Sequence, residues 1–263
     1  MRNYVLGDFL PALTQACRVV VCTPLADDPK VQSTVLEVGA GVEPLLKYGE
    51  SWLHRRVTMR QTLYHFAWCD TGSMKIKFAR ARSWYGGVAN LRNRVDQALA
   101  KHLSSPLTLR MLDWLDARFR TRSDEATYYR QLFHERTPAV VFSTASVMKD
   151  EWVPLYVAQE MGIPTAVAVM SWDNLTSKGR LPCGCDQYLA WTEGMKHELL
   201  DFHPDVESDQ VVVGGSPQFD FHMHPDFHLT REEFCREVGL VAERPIVVYS
   251  GVTPGLMPHE PEI

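Results

Sequence analysis

Hydrophobic and polar positions change rhythm twice along these 263 residues. At the start, "YVLGDFLPALTQAC" places apolar residues three and four apart and runs into the β-branched "RVVVCTP", which predicts a helix followed by a buried strand. The next segment, "VQSTVLEVG", reads as a second strand. From about residue 43 to 136 the period becomes helical: "ANLRNRVDQALAKHL", "PLTLRMLDWLDARF" and "SDEATYYRQLFHER" each bring Leu, Val, Tyr or Phe back every three or four positions. Pro106 suits the first turn of its helix, where the missing N–H costs nothing, and Ser123 is a strong N-cap.

After Pro138 strands return. "AVVFSTA", "PTAVAVM", "DQYLAW" and "QVVVGG" are apolar runs of strand length, separated by the helical "EWVPLYVAQEMG", closed by Gly162, and "TEGMKHELLDFH", capped by Thr192. Near-continuous apolar strands alternating with helices belong to a parallel sheet covered on both faces. The expected fold is α/β, a Rossmann-like doubly wound parallel sheet over residues 1–240 with a helical insertion at about 43–136. A capping box, Thr230 with Glu233, then opens the helix "TREEFCREVGL", and "IVVYSG" follows as a new strand. Residues 245–263 therefore read as the start of a second domain. A doubly wound sheet also normally begins with a strand, and Met1 falls where that strand would be ending. The chain is expected to be truncated at both ends.

Composition narrows this picture. An apolar content of 45% supports a substantial core, and no apolar run approaches the roughly 20 residues that span a bilayer. The N-terminus is too acidic, and its apolar part too short, for a secretory signal, so a cytoplasmic location is expected. The six cysteines show no CxxC pair and read as reduced structural thiols, and Asn174-Leu175-Thr176 carries little weight as a glycosylation acceptor without secretion. The net charge of −5 is unevenly spread: Leu53–Arg122 holds 14 Lys and Arg against four acids, the rest 13 against 28. That basic block, interspersed with Trp68, Phe78, Trp84 and Tyr85, is either the solvated face of several helices or an attractor for anionic lipid or a phosphorylated substrate. No nucleic-acid motif accompanies it.

In open α/β sheets ligands bind beyond the carboxyl ends of the strands. Three loops are expected there: "STASVMKDEW", "SWDNLTSKG" and "GGSPQFD". The second is richest in chemistry. Asp173 and Asn174 can bind sugar hydroxyls, Ser177 and the Gly179 amide suit an anion, and Lys178 supplies a mobile positive charge for a phosphate. The alternative is a self-bonded Asx turn with Trp172 buried as a plug. In the third loop, Gly214 and Gly215 permit a sharp turn, and Gln218 and Asp220 are polar groups placed beside Phe219 and Phe221. His222, His224 and His228 with Asp226 invite a metal reading, but Pro225 interrupts them and a surface loop is preferred. There is no GxSxG, Walker loop or GxGxxG.

Taken together, "RNYVLGDFLPAL", "SWDNLTSKG", "DQYLAWTEGMKHEL", "VVVGGSPQFD" and "RPIVVYSG" resemble bacterial glycosyltransferases of the two-domain GT-B type. The nearest likeness is to surface-carbohydrate proteins related to CDP-glycerol glycerophosphotransferases and UDP-N-acetylglucosamine 2-epimerases. The resemblance spans roughly residues 1–251 and is least specific in the helical middle. It implies an acceptor-binding N-terminal domain facing a donor-binding second domain, with a nucleotide-sugar or CDP-glycerol as donor substrate, a glycan or lipid-linked acceptor, and no metal or cofactor. It also implies that Ser171, Trp172, Asn174, Ser177, Lys178, Gly179, Gln218 and Asp220 line the cleft, with Asp173 the candidate general base. Because the donor domain has almost no counterpart here, catalysis by this chain alone is not expected. Two alternatives remain open: a UDP-sugar 2-epimerase-like enzyme, and a non-catalytic domain that binds a glycan or a partner. If the basic block docks the chain near a lipid-linked acceptor, peripheral association with the inner membrane face is expected.

Overall fold

The computed structural model describes residues 2–80, 88–223, 225 and 228–251. Trp84, Tyr85, His224 and Asp226 lie outside the described residues, as does the end of the chain beyond Gly251. The chain divides into two compact units, Met1–Gln218 and Phe219–Ile263.

The first unit is α/β with parallel strands, consistent with a Rossmann-like fold. It opens with two short helices, α1 (Arg2–Val5) and α2 (Phe9–Ala16), where the apolar spacing had suggested one. Strand β1 (Val20–Thr23) follows, then α3 (Pro29–Glu37) and β2 (Gly41–Pro44). Here the sequence reading is corrected: "VQSTVLEVG" is the body of α3, not a strand. Asp28 caps its first turn by accepting from the Lys30 and Val31 amides, Pro29 occupies the first helical position, and only Val35 is fully buried.

The helical block comprises α4 (Trp52–Cys69), α5 (Gly72–Arg80), α6 (Val88–Leu103), α7 (Pro106–Arg120) and α8 (Asp124–Arg136). Ser105 and Thr108 form a reciprocal capping box around Pro106, and Ser123 accepts from the Ala126 amide, as their positions led one to expect. Helix α4 is the central post of the block. Leu63, Phe66, Met74, Phe78, Ala100, Leu109 and Leu112 bury one another around it, yet His54, Thr58, Gln61 and His65 of the same helix are buried too.

The second half is more regular. Strands β3 (Val141–Ser143), β4 (Thr165–Ala168), β5 (Gln187–Ala190) and β6 (Val211–Val213) form one parallel sheet in that order. Helices α9 (Trp152–Glu160) and α11 (Glu193–Phe202) connect them, and the short α10 (Asn174–Ser177) sits between β4 and β5. Every residue of α9 from Trp152 to Ala158 is buried, as an apolar helix between a sheet and other helices must be. Val167, Tyr188, Ala190, Leu155 and Leu199 make the core beside it. Strands β1 and β2 pair only with each other, so the single expected sheet is present as two, β1-β2 and β3-β4-β5-β6.

The second unit contains α12 (Arg231–Val238), opened by the Thr230–Glu233 capping box and closed by Gly239 at φ 74°. The expected strand "IVVYSG" does not form: Val247, Val248 and Tyr249 are largely exposed, and no strand is assigned to them. A β-branched run has no intrinsic hydrogen-bonding partner, and an unpaired strand is not stable in water. No helix among the described residues is long and apolar enough to cross a membrane.

Candidate functional site

The loop after β4 carries most of the candidate residues, and its geometry centres on Asp173. Ser171 Oγ donates to Asp173 Oδ1 at 2.7 Å and Ser177 Oγ donates to Oδ2 at 2.9 Å, while Asn174 Nδ2 approaches Oδ1 at 3.4 Å. The Ser171 amide donates to Asn174 Oδ1 at 3.1 Å. These bonds close Ser171–Ser177 on itself and wind α10 from its middle. The hydrogen bond from Ser171, opposed by slight burial and aided by Ser177 and Lys178, holds the Asp173 carboxyl below its usual range. Asp173 is therefore ionised at neutral pH, a weak base but a good acceptor, and Asn174 is buried.

What the loop leaves free faces water. Trp172 is 70% exposed, so it is not a buried plug but an open aromatic face on the rim. Lys178, six residues on, is exposed too. Gly179 adopts φ +96°, which an L side chain rarely takes, and a Cβ there would lie 3.6 Å from Thr62 Cγ2 of α4. The chain turns at this glycine from the rim into the interior.

Beyond that turn Arg180 is buried and anchors the loop. Its guanidinium reaches Asp113 Oδ2 of α7 at 2.5 Å and Asp205 Oδ1 at 2.6 Å, and donates to His203 Nδ1 at 3.1 Å. Gln61 of α4 donates to the same Asp113 at 2.7 Å. Burial works against the Arg180 charge, but Asp113 and Asp205 more than offset it and raise its pKa. Because arginine can only donate, His203 Nδ1 must accept, which leaves the proton on Nε2, an atom with no partner among the described residues. His65 lies against His203 with ring centroids 5.0 Å apart, and its ring contacts Cys69 Sγ. Burial, then the neighbouring His203 and the Arg180 charge, hold His65 well below the usual histidine range, and burial with the Arg180 charge does the same for His203.

Two residues escaped the sequence reading. Lys77 of α5 donates to the Ser177 carbonyl, bringing the helical block onto the loop, and burial followed by the neighbouring Lys178 lowers its pKa. A hundred residues separate the partners, so only the basic character of "MKIKF" was visible beforehand. Glu151 lies after β3, in the first of the three rim loops. It accepts from Ser143 Oγ at 2.7 Å and the Ala145 amide at 3.1 Å, and burial pushes its carboxyl up in spite of these bonds. Its membership of "STASVMKDEW" was the available signal.

The third loop is less engaged. Gly215 adopts φ +76°, and residues Pro217–His222 form a 3-10 turn. Gln218 ends the first unit, half-buried, without a hydrogen bond to Ser171–Gly179 among the described residues. Asp220 belongs to the second unit, where its carbonyl accepts from the Met223 amide at 2.9 Å. In the histidine stretch, His228 Nε2 contacts the His222 carbonyl at 2.7 Å, and no cluster of potential metal ligands occurs among the described residues. The six cysteines are free.

With this geometry in hand, comparison adds no name. The chain matches no protein-family model, no curated protein and no solved structure.

Proposed function

We propose that this chain is the acceptor-side portion of a GT-B glycosyl- or glycerophosphotransferase of bacterial surface polysaccharide synthesis, working against the inner face of the membrane. One observation carries the proposal. The self-bonded loop at the carboxyl end of β4 is anchored from below by Arg180 and braced from the side by Lys77, and it presents Trp172 and Lys178 to solvent. An exposed indole offers a stacking surface for a sugar ring, and an exposed ammonium on the same loop suits a phosphate. Asp173, bound by two hydroxyls, is assigned to orienting an acceptor hydroxyl in preference to deprotonating it.

The membrane part of the reading is supported by α6. Leu91, Val95, Leu99 and Leu103 recur every fourth residue along α6 and are each 43–65% exposed, with Arg92, Arg94 and Lys101 exposed among them. The one acid of α6, Asp96, is withdrawn from that surface into pairs with Arg56 and Arg60. An apolar stripe edged by cations suits the interface of an anionic bilayer.

The test is direct. Titration with phosphate-bearing glycans and polyprenyl-linked acceptor analogues is expected to show saturable binding, weakened at least tenfold by Trp172→Ala or by Lys178→Ala at unchanged melting temperature. Absence of binding to every such acceptor overturns the reading. Calorimetry with UDP- or CDP-linked donors is expected to show no micromolar site, because the GT-B donor contacts lie in the second domain. Sedimentation with phosphatidylglycerol vesicles is expected to fall steeply between low and physiological salt.

A further inference from the structure

The same two helix layers flank β1 and β3, although the two strands do not pair. On one face, Val19, Val21 and Val42 pack with Val5, Leu10 and Val35 of α1 to α3 and with Ala40 just before β2. Phe142 of β3 meets that side of the molecule too, with its ring 6.1 Å from Tyr4 and 5.9 Å from Phe9. On the other face, α8 and α9 form one cluster that covers Cys22 of β1 and Val141 of β3 alike. Layers that continue across a break imply that the sheet between them should be continuous.

The strands bordering the break also look unlike interior strands. Val20, Val21 and Cys22 in β1, and Val141 and Phe142 in β3, are all only half-buried, whereas Thr165, Val167 and Ala168 in the neighbouring β4 are buried. Backbone groups tell the same story. The Val19 and Thr23 carbonyls accept from Gly41 and Leu45 on the β2 side, and the Val141 amide donates to Pro164 on the β4 side. Because backbone groups alternate sides along a strand, those of Val20, Cys22 and Phe142 point into the break.

We propose that β1-β2 and β3-β4-β5-β6 are two parts of a single parallel sheet, and that the position between β1 and β3 is filled by an apolar strand of the same polypeptide leading directly into α1. The occupant is assigned in cis by geometry. Tyr4 lies against Phe142, and Glu151, at the carboxyl end of β3, raises the pKa of the Tyr4 phenol after the larger effect of burial. Helix α1 thus starts where a parallel strand in the break would end, and α2 returns the chain to β1, giving a strand–helix–strand unit, a connection that is right-handed in nearly all parallel sheets. With both faces covered, such a strand is a run of four or five apolar residues.

Hydrogen exchange tests this on the chain itself. The amides of Val20, Cys22 and Phe142 are expected to exchange at least a hundredfold faster than those of Val167 and Tyr188. Fusing Lys-Val-Ile-Val-Val immediately before Met1 is expected to slow those three amides at least a hundredfold and to raise the melting temperature by several degrees, and a Gly/Ser extension of equal length is expected to do neither. Protection of the three amides without any extension, equal to that of Val167, overturns the proposal. So does failure of the apolar extension to protect them. Protection that appears only at high protein concentration assigns the position to a second copy and overturns the cis occupant.

Discussion

Two regions of this molecule use the same kinds of residue to opposite ends. At the seam where the helical block meets the sheet, Arg180, Asp113, Asp205 and His203 are packed against one another out of water. Arg120, Asp116, His54 and Tyr48 form a second such knot: His54 Nε2 lies 2.6 Å from Asp116 Oδ1, Tyr48 OH lies 2.7 Å from His54 Nδ1, and Arg120 Nε lies 3.0 Å from Asp116 Oδ2. The Arg120 guanidinium also sits between the rings of Tyr48 and Trp152, 4.7 and 5.0 Å from their centroids, and donates to the Lys149 carbonyl at 2.8 Å. At the rim, by contrast, Asp173 and Lys178 stay in contact with water, and the bonds around Asp173 join near neighbours in sequence. The difference is one of stakes. A buried charge that loses its partner is left uncompensated, whereas a rim charge is rescued by solvent.

The largest effects should therefore come from the seam. Arg180→Met is expected to destabilise the fold by about 3–5 kcal/mol, because Asp113 would remain buried, with the partly buried Asp205 nearby and no cation for either. Chemical denaturation measures this, and a loss below about 1 kcal/mol would mean that the seam is hydrated in solution. Asp116→Ala is expected to cost about 3 kcal/mol by removing the buried carboxylate that Arg120 and His54 share. Adding His54→Phe to it should recover part of that loss, since the imidazole nitrogen that had faced Asp116 is then removed from the interior.

Acid should act at the seam next. His65 and His203 remain neutral in the fold well below the pH at which they protonate in the unfolded chain. The unfolded state thus binds more protons below about pH 6.5, and stability must fall as pH falls through that point, by about 1.4 kcal/mol per pH unit for each imidazole. Arg180 and Asp205 face these rings, and burial raises the pKa of the nearby Asp113 carboxyl, an effect that opposes the trend only where that acid titrates. Denaturation at pH 7.5 and 5.5 should show the loss, and His65→Leu should roughly halve it. An unchanged slope in that variant would place the titrating groups elsewhere.

The contrast between the two regions also explains what the sequence made legible. After Pro138, strands and helices were readable because each apolar run is local and its caps, such as Thr192 and Gly162, lie next to it. Helix α3 was misread although Asp28-Pro29 is a start signal and Val31, Val35 and Val38 sit at helical spacing, because β-branched residues outweighed the cap. The rim loop was visible for the same local reason, since the side-chain hydrogen bonds around Asp173 span at most four residues. The seam was not. Asp113 and Arg180 are 67 positions apart, and Asp116 and His54 are 62 apart, so nothing in either neighbourhood announces the pairing. Helix α4 hides its role in the same way, because the face it buries carries His54, Gln61 and His65 among its apolar residues, and no amphipathic stripe marks it.

The smallest stability effects belong to the rim. Trp172→Ala removes a side chain that is already mostly in water, so the fold should change by less than about 0.5 kcal/mol. Asp173→Asn keeps the volume and one acceptor for Ser171 or Ser177, but it removes the charge that those hydroxyls and Lys178 favour. Its expected cost is about 1 kcal/mol or less, in keeping with a partly exposed hydrogen-bonded acid. The informative measurement is the pair of readouts together. Loss of acceptor binding in both variants at near-wild-type stability means that the rim's polar groups are held for a ligand. A cost of about 3 kcal/mol for Asp173→Asn would instead make Asp173 a second Asp113, a residue that holds the chain in place, with Trp172 and Lys178 as incidental exposures of a structural turn.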